Sequence, residues 1–235
     1  MRWKEIMMNK RLFCFPYSGA SATYFHKWKR LLNNSIELVP VDYAGRGSRY
    51  NEPLITDMQN MAEDLFLLLI EQLNEGPYIL FGHSVGALII YELYKKILDK
   101  ALVLPDHVYL SATAPPHVRT GNQLLECRND DELIQALIRL GGGSEIYDNP
   151  QLCSFFLPII KADLKVYASQ RDKAIQKVFR CPVTVLYGEE DISCESMQQW
   201  EYYSEGGVKT IGFPGGHFFI HDEYEQIIYL IKNDI

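Results

Sequence analysis

At 235 residues, with 47% hydrophobic and 23% charged side chains, the chain can bury a sizeable core in one domain and has an ordinary soluble composition. A formal net charge of −7 excludes the broad basic surface that non-specific nucleic-acid binding requires. Five scattered cysteines read as reduced thiols, not a disulfide framework. Residues 1–11 hold no apolar core of signal-peptide length, and the longest apolar run, Leu65 to Ile70, is too short to span a bilayer. A soluble, cytoplasmic, single-domain protein is expected.

Residues 11–15 form a β-type run ending at Pro16-Tyr17-Ser18-Gly19-Ala20. Residues 22–32 then read as a helix, with Tyr24, Phe25, Trp28, Leu31 and Leu32 at helical spacing. A strand follows at 36–41, then the loop 42–49. Thr56 is a candidate N-cap for a helix through about Asn74. Residues 78–90 read as a strand, an abrupt turn and an apolar helix, and 107–111 as another short strand.

From about 115 to 180 no strand alternation persists. So long a structureless connection is unusual, and helices of its own are expected there. One spans 130–140, with an acidic first turn and Gly141-Gly142-Gly143 as its stop. Another spans 151–169, broken or bent near Pro158. Its apolar run 153–160 serves the core or lines a tunnel. Strands at 183–187 and 208–213 then alternate with helices at 196–203 and 222–231. Strands alternating with helices predict an α/β fold with a mostly parallel sheet covered on both faces.

The turn at 82–86 reads Gly82-His83-Ser84-Val85-Gly86. A serine hydroxyl becomes a nucleophile only when it is exposed, aimed and deprotonated by a neighbour. A tight strand-to-helix elbow supplies exposure and aim, and the helix that follows directs backbone N–H groups at the same point. The base should lie on the same strand-end rim. Of the four histidines after Ser84, His217 qualifies, on a glycine-rich turn past the last strand. His107 starts a strand at the opposite end, His117 falls in the insertion, and His221 opens the last helix. His83 is a spacer of the elbow. The i, i+4 pair His217 and His221 straddles a loop-to-helix boundary, so no metal site is expected.

The orienting acid comes after one of the strands that follow the elbow helix. Residues 110–114 hold no carboxylate, whereas Gly188-Glu-Glu-Asp191 holds three. Asp191 is the first candidate and Glu190 the fallback, with Asp163 weaker on an insertion helix. Two N–H groups should face the oxyanion. One is that of Val85, and the other that of Tyr17 or Ser18, which sequence alone does not separate.

Phe13-Cys-Phe-Pro-Tyr-Ser-Gly-Ala-Ser21, Tyr43-Ala-Gly-Arg-Gly-Ser-Arg49, Phe81-Gly-His-Ser-Val-Gly-Ala87, Ser154-Phe-Phe-Leu-Pro158 with Ala162-Asp163, Gly188-Glu-Glu-Asp191 and Gly215-Gly-His-Phe-Phe219 run nearly end to end. Together they resemble the α/β-hydrolase fold and, within it, the type II thioesterases of non-ribosomal peptide and polyketide synthesis. The chain departs from that pattern at Ala20, Ala44 and Val85, where the family usually has Gly, Pro and often Met; none of these removes a catalytic group. The resemblance implies hydrolysis of acyl thioesters on the phosphopantetheine arm of a carrier-protein domain, clearing wrong or stalled groups. It implies a lid at about 115–180 and no cofactor. Carrier domains are acidic, so docking is expected on a basic patch drawn from Lys27, Lys29, Arg30, Arg46 and Arg49, by a monomer with no nucleic-acid or membrane partner. A general carboxylesterase or acyltransferase using the same triad, and a non-catalytic carrier-binding protein, are the alternatives.

Overall fold

In the computed structural model, which describes residues 9–32, 36–118, 123–143, 148–170 and 174–234, six short strands pair side by side and all parallel. They are β1 (Lys10–Phe15), β2 (Ile36–Pro40), β3 (Tyr78–His83), β4 (His107–Ser111), β5 (Val183–Gly188) and β6 (Val208–Phe213). Their order across the sheet is β2-β1-β3-β4-β5-β6. The central strands are apolar on both faces because helices cover both. Phe13, Phe15, Tyr78 and Leu80 face a core shared with α1 (Met58–Leu73) and α2 (Val85–Asp99). Their alternates Leu12, Cys14, Ile79 and Phe81 face Phe25, Trp28 and the closing helix, α6 (Tyr224–Asn233).

The order reverses at β1: the chain moves outward to β2, then returns to place β3 on the other side. The turns after β1 and β3 therefore diverge around a crevice at the carboxyl edge, where open α/β sheets bind ligands.

Several local expectations shift. Ala22–Arg30 is a 3₁₀ helix, because Ala22, Phe25 and Trp28 are buried at a spacing of three, the repeat that stacks side chains on one face of that helix. Asp57, not Thr56, caps α1, accepting from the N–H groups of Gln59 and Asn60. The helix expected at 196–203 is a short α5 (Cys194–Gln198) continued as a 3₁₀ turn to Tyr203.

Between β4 and β5 lie α3 (Asp130–Arg139) and α4 (Pro150–Ala168). They share a small core of Leu133, Leu137, Leu157, Ile160 and Leu164. The break expected at Pro158 is absent, and α4 runs through it. Pro158 and Ser154 both face solvent, where water can satisfy the carbonyl that the proline leaves unbonded, while the apolar face keeps the helix packed on either side of it. Among the described residues, no helix is long and apolar enough to cross a membrane.

Candidate active site

The elbow is built by close approach. A Cβ on Gly82 would meet the backbone of Gly86 at 2.5 Å, and one on Gly86 would meet the Phe15 carbonyl oxygen at 2.3 Å. Only hydrogen at both positions lets strand, helix and the first loop converge. Ser84, between them, holds φ +56° and ψ −121°, a left-handed conformation that L residues occupy at a cost and that the surrounding packing imposes. Its N–H is held by the Ser111 carbonyl at 2.7 Å.

Two glycines bring the partners together in the same way. Gly188 ends β5 against the backbone of Gly215 and Gly216, and the Glu190 N–H bonds the Gly215 carbonyl at 3.0 Å. The turn carrying the acid is thus tied to the turn carrying His217. Asp191 Oδ2 lies 2.8 Å from His217 Nδ1, and His217 Nε2 lies 3.1 Å from Ser84 Oγ. A carboxylate only accepts, so Nδ1 carries the ring proton and Nε2 is left to accept from the serine hydroxyl. His217 and Asp191 are each 12% exposed, shielded yet within reach of a substrate.

Ser84, His217 and Asp191 open into a cavity of about 400 Å³. Tyr17 and Ser18 border it from the loop after β1, and Ala136, Leu137, Leu140, Leu164 and Tyr167 from the insertion. Phe15 and Pro16 lie directly on the start of α2, and Tyr17 and Ser18 border the same cavity as Ser84. Of the run 153–160, Leu157, Ile159 and Ile160 are buried, and none of its residues borders the cavity. Its buried residues serve the core, and Ser154, Phe155 and Pro158 face solvent.

Other candidates fall elsewhere. His107 bonds Thr184, and His117 bonds Tyr203 and Gln199. His221 Nε2 and the Tyr17 hydroxyl are hydrogen-bonded at 3.0 Å, apart from the ring nitrogens of His217. Asp163 is buried against Arg46, remote in bonding from His217.

His83 does more than space the elbow. Its Nε2–H donates to the His217 carbonyl at 3.0 Å, and its Nδ1 accepts from the Ser111 hydroxyl at 2.8 Å. It is fully buried, and desolvation, reinforced by nearby His217, holds its pKa well below the ordinary range. A neutral imidazole therefore braces the backbone of the histidine beside Ser84. Ala112, bordering the cavity after β4, also has positive φ (+56°); neither role had a sequence signal.

The expected basic patch needs correction. Arg46 is 2% exposed and paired with Asp163, while Arg49 is locked between Glu52 and Asp64. Lys27 donates to the His221 carbonyl and lies over the Tyr24 and Tyr224 rings. Only Lys29 and Arg30 of the five are exposed. Cationic side chains in a glycine-rich loop read as solvated from sequence, but this loop turns inward.

A strained serine elbow, a histidine and an acid on the carboxyl edge of a parallel sheet, beneath a helical insertion, define the α/β-hydrolase class. Within that class, the thioesterase-domain family model matches residues 10–235, and the chain belongs to this family of thioester hydrolases. It is 32% identical over 226 residues to the gramicidin S biosynthesis protein GrsT of Aneurinibacillus migulanus, covering 94% of this chain and 88% of that one. To the human medium-chain S-acyl fatty acid synthase thioesterase it is 31% identical over 235 residues, covering 96% and 85%. The crystal structure of ClbQ from the colibactin NRPS/PKS pathway superposes with a TM-score of 0.88 at 31% identity, covering 96% of both chains. The resemblance to type II thioesterases of peptide and polyketide assembly thus extends over the whole fold.

Proposed function

We propose that this protein hydrolyses acyl thioesters presented on the phosphopantetheine arm of carrier-protein domains, with Ser84 as nucleophile, His217 as base and Asp191 as the orienting acid. The observation that carries this reading is the bonded series Ser84–His217–Asp191 opening into a cavity beneath the insertion. The similar proteins named above, one from gramicidin S biosynthesis, one an S-acyl fatty acid synthase thioesterase and one from an NRPS/PKS pathway, support a carrier-bound acyl group as the substrate.

The chemistry follows from the geometry. His217 Nε2 takes the Ser84 proton as Oγ attacks the thioester carbonyl, and Asp191 stabilises the imidazolium that forms. The oxyanion is met by the Val85 N–H and that of Tyr17 or Ser18. When the tetrahedral intermediate collapses, the C–S bond breaks and the pantetheine sulfur leaves as the thiol with the proton from His217. Water then attacks the acyl-serine, giving its proton to the same nitrogen, and the carboxylic acid departs as Ser84 is restored. The apolar wall from α3 and α4 would exclude bulk water and limit the acyl group, and the protein needs no cofactor of its own.

The test is to load carrier domains with acetyl, longer acyl and aminoacyl groups and measure their release. Ser84→Ala should abolish hydrolysis while leaving carrier binding intact; sustained release by that variant rules the mechanism out. Turnover of free coenzyme A thioesters equal to that of carrier-bound ones refutes the carrier assignment.

A further inference from the structure

The loop after β1 is held at both ends by groups that the proposed chemistry does not use. At its start, the Tyr43 hydroxyl, on a fully buried ring, donates to the Pro16 carbonyl at 2.7 Å. At its end, the Gly19 N–H donates to Asp163 Oδ2 at 2.8 Å. Between them, the Ala20 N–H closes a turn onto the Tyr17 carbonyl at 3.1 Å. Gly19 has φ +82°, and a Cβ there would lie 2.7 Å from Ile160 Cγ1. Ala20 is not among the positive-φ residues, so alanine in place of the family's second glycine needs no strained backbone here. Ile160 and Asp163, three apart on one face of α4, thus clamp Gly19 from the insertion.

Asp163 is itself set by Arg46. The guanidinium reaches both carboxylate oxygens, Nη2 to Oδ1 at 2.6 Å and Nη1 to Oδ2, and it lies 5.1 Å from the Tyr43 ring centroid. Asp163 is 1% exposed. A buried ion pair gives weak net stability, since desolvation offsets the attraction, and Arg46 Nε finds no acceptor among the described residues. What the pair does supply is direction. A two-point fork fixes the plane of the carboxylate, and with it the lone pair that receives the Gly19 N–H.

We propose that Asp163, oriented by Arg46, is a positioning residue that fixes the loop carrying the second oxyanion donor, so that the seating of α4 on the sheet sets the shape of the oxyanion hole. This rests on the assignment of the Tyr17 or Ser18 N–H as that donor. An oxyanion donor acts only if it already lies where charge develops. Phe15 and Pro16 are pinned against Gly86 and the Ala22 N–H is held by Asp42 Oδ1 at 2.7 Å, so between these anchors the path of residues 17–19 is set where Asp163 receives the Gly19 N–H.

Two double variants isolate this role. R46M/D163L removes the pair in favour of apolar residues of similar size. R46M/D163N does the same but keeps an amide oxygen for Gly19. Both should unfold near the wild-type temperature. R46M/D163L should lose roughly 10²-fold in kcat for acyl release, the low end of the cost of an oxyanion donor, with KM changed less than threefold. R46M/D163N should recover about tenfold of that loss. Equal kcat in the two folded variants, or wild-type kcat in R46M/D163L, overturns the proposal. If R46M/D163L does not fold, R46K decides: lysine keeps the charge without the fork. Its kcat should then fall severalfold at constant KM, and an unchanged kcat overturns the proposal. Ser84→Ala in the same assay separates the two readings, since its residual hydrolysis sinks the triad and a dead S84A beside an unimpaired R46M/D163L sinks only the clamp.

Discussion

Gly188→Ala tests how tightly the histidine and acid turns are set against each other. Gly188 is not among the positive-φ residues, so alanine suffers no backbone strain there, and the effect comes from space alone. Its Cβ would lie 2.2 Å from the Gly216 carbonyl oxygen and 2.6 Å from that of Gly215. Side-chain carbons essentially never come closer than 3.0 Å, and both obstacles are backbone. The turn before His217 must therefore retreat by about 0.8 Å or more. A shift of that size, passed one residue along, carries the His217 bonds to Asp191 and Ser84, now 2.8 and 3.1 Å, beyond the range in which they align a proton. Misplacement by about 1 Å costs on the order of 10²-fold in rate, and overpacking costs about 1–3 kcal/mol in stability. Steady-state release of thiol from an acyl-carrier substrate, beside urea unfolding, measures both. A folded Gly188→Ala with kcat within about threefold of wild type would refute the idea that this contact sets the catalytic geometry.

Asp191→Asn should lower kcat by roughly 10³–10⁴-fold with the fold intact, because an amide can present the imidazole with the wrong tautomer; Glu190→Gln in the same assay should stay near wild type, and the reverse pattern would transfer the acid role to Glu190. Stability should fall as pH drops below about 6.5. Burial holds the pKa values of His83 and His107 below their ordinary value, so in that window the unfolded chain takes up protons that the folded one refuses. The loss is up to about 1.4 kcal/mol per pH unit for each histidine. His107→Gln, which can keep the bond to Thr184, should remove one such share from urea unfolding between pH 7 and 5.5, and an unaltered slope would contradict it.

The strands, the elbow and the placing of Ser84 and His217 on one strand-end rim were legible because their signals are local. Continuous apolar runs encode doubly covered strands, and Gly82 and Gly86 bracket a serine that must sit in a strained turn. The boundaries that shifted, at Asp57, at the 3₁₀ run of residues 22–30 and at Pro158, depend on which side chains find burial. Sequence narrowed the acid to a cluster of three carboxylates; the bond to His217 depends on the contact between Gly188 and the Gly215–Gly216 backbone. Arg46 looked like a surface charge, His83 like a spacer and Asp163 like a weak acid candidate. Their partners lie 117, 134 and 144 residues away in the chain, and no local pattern specifies such pairings. They exist only because the parallel sheet returns distant turns to one edge and the insertion packs back upon them, where a buried polar group must find a partner.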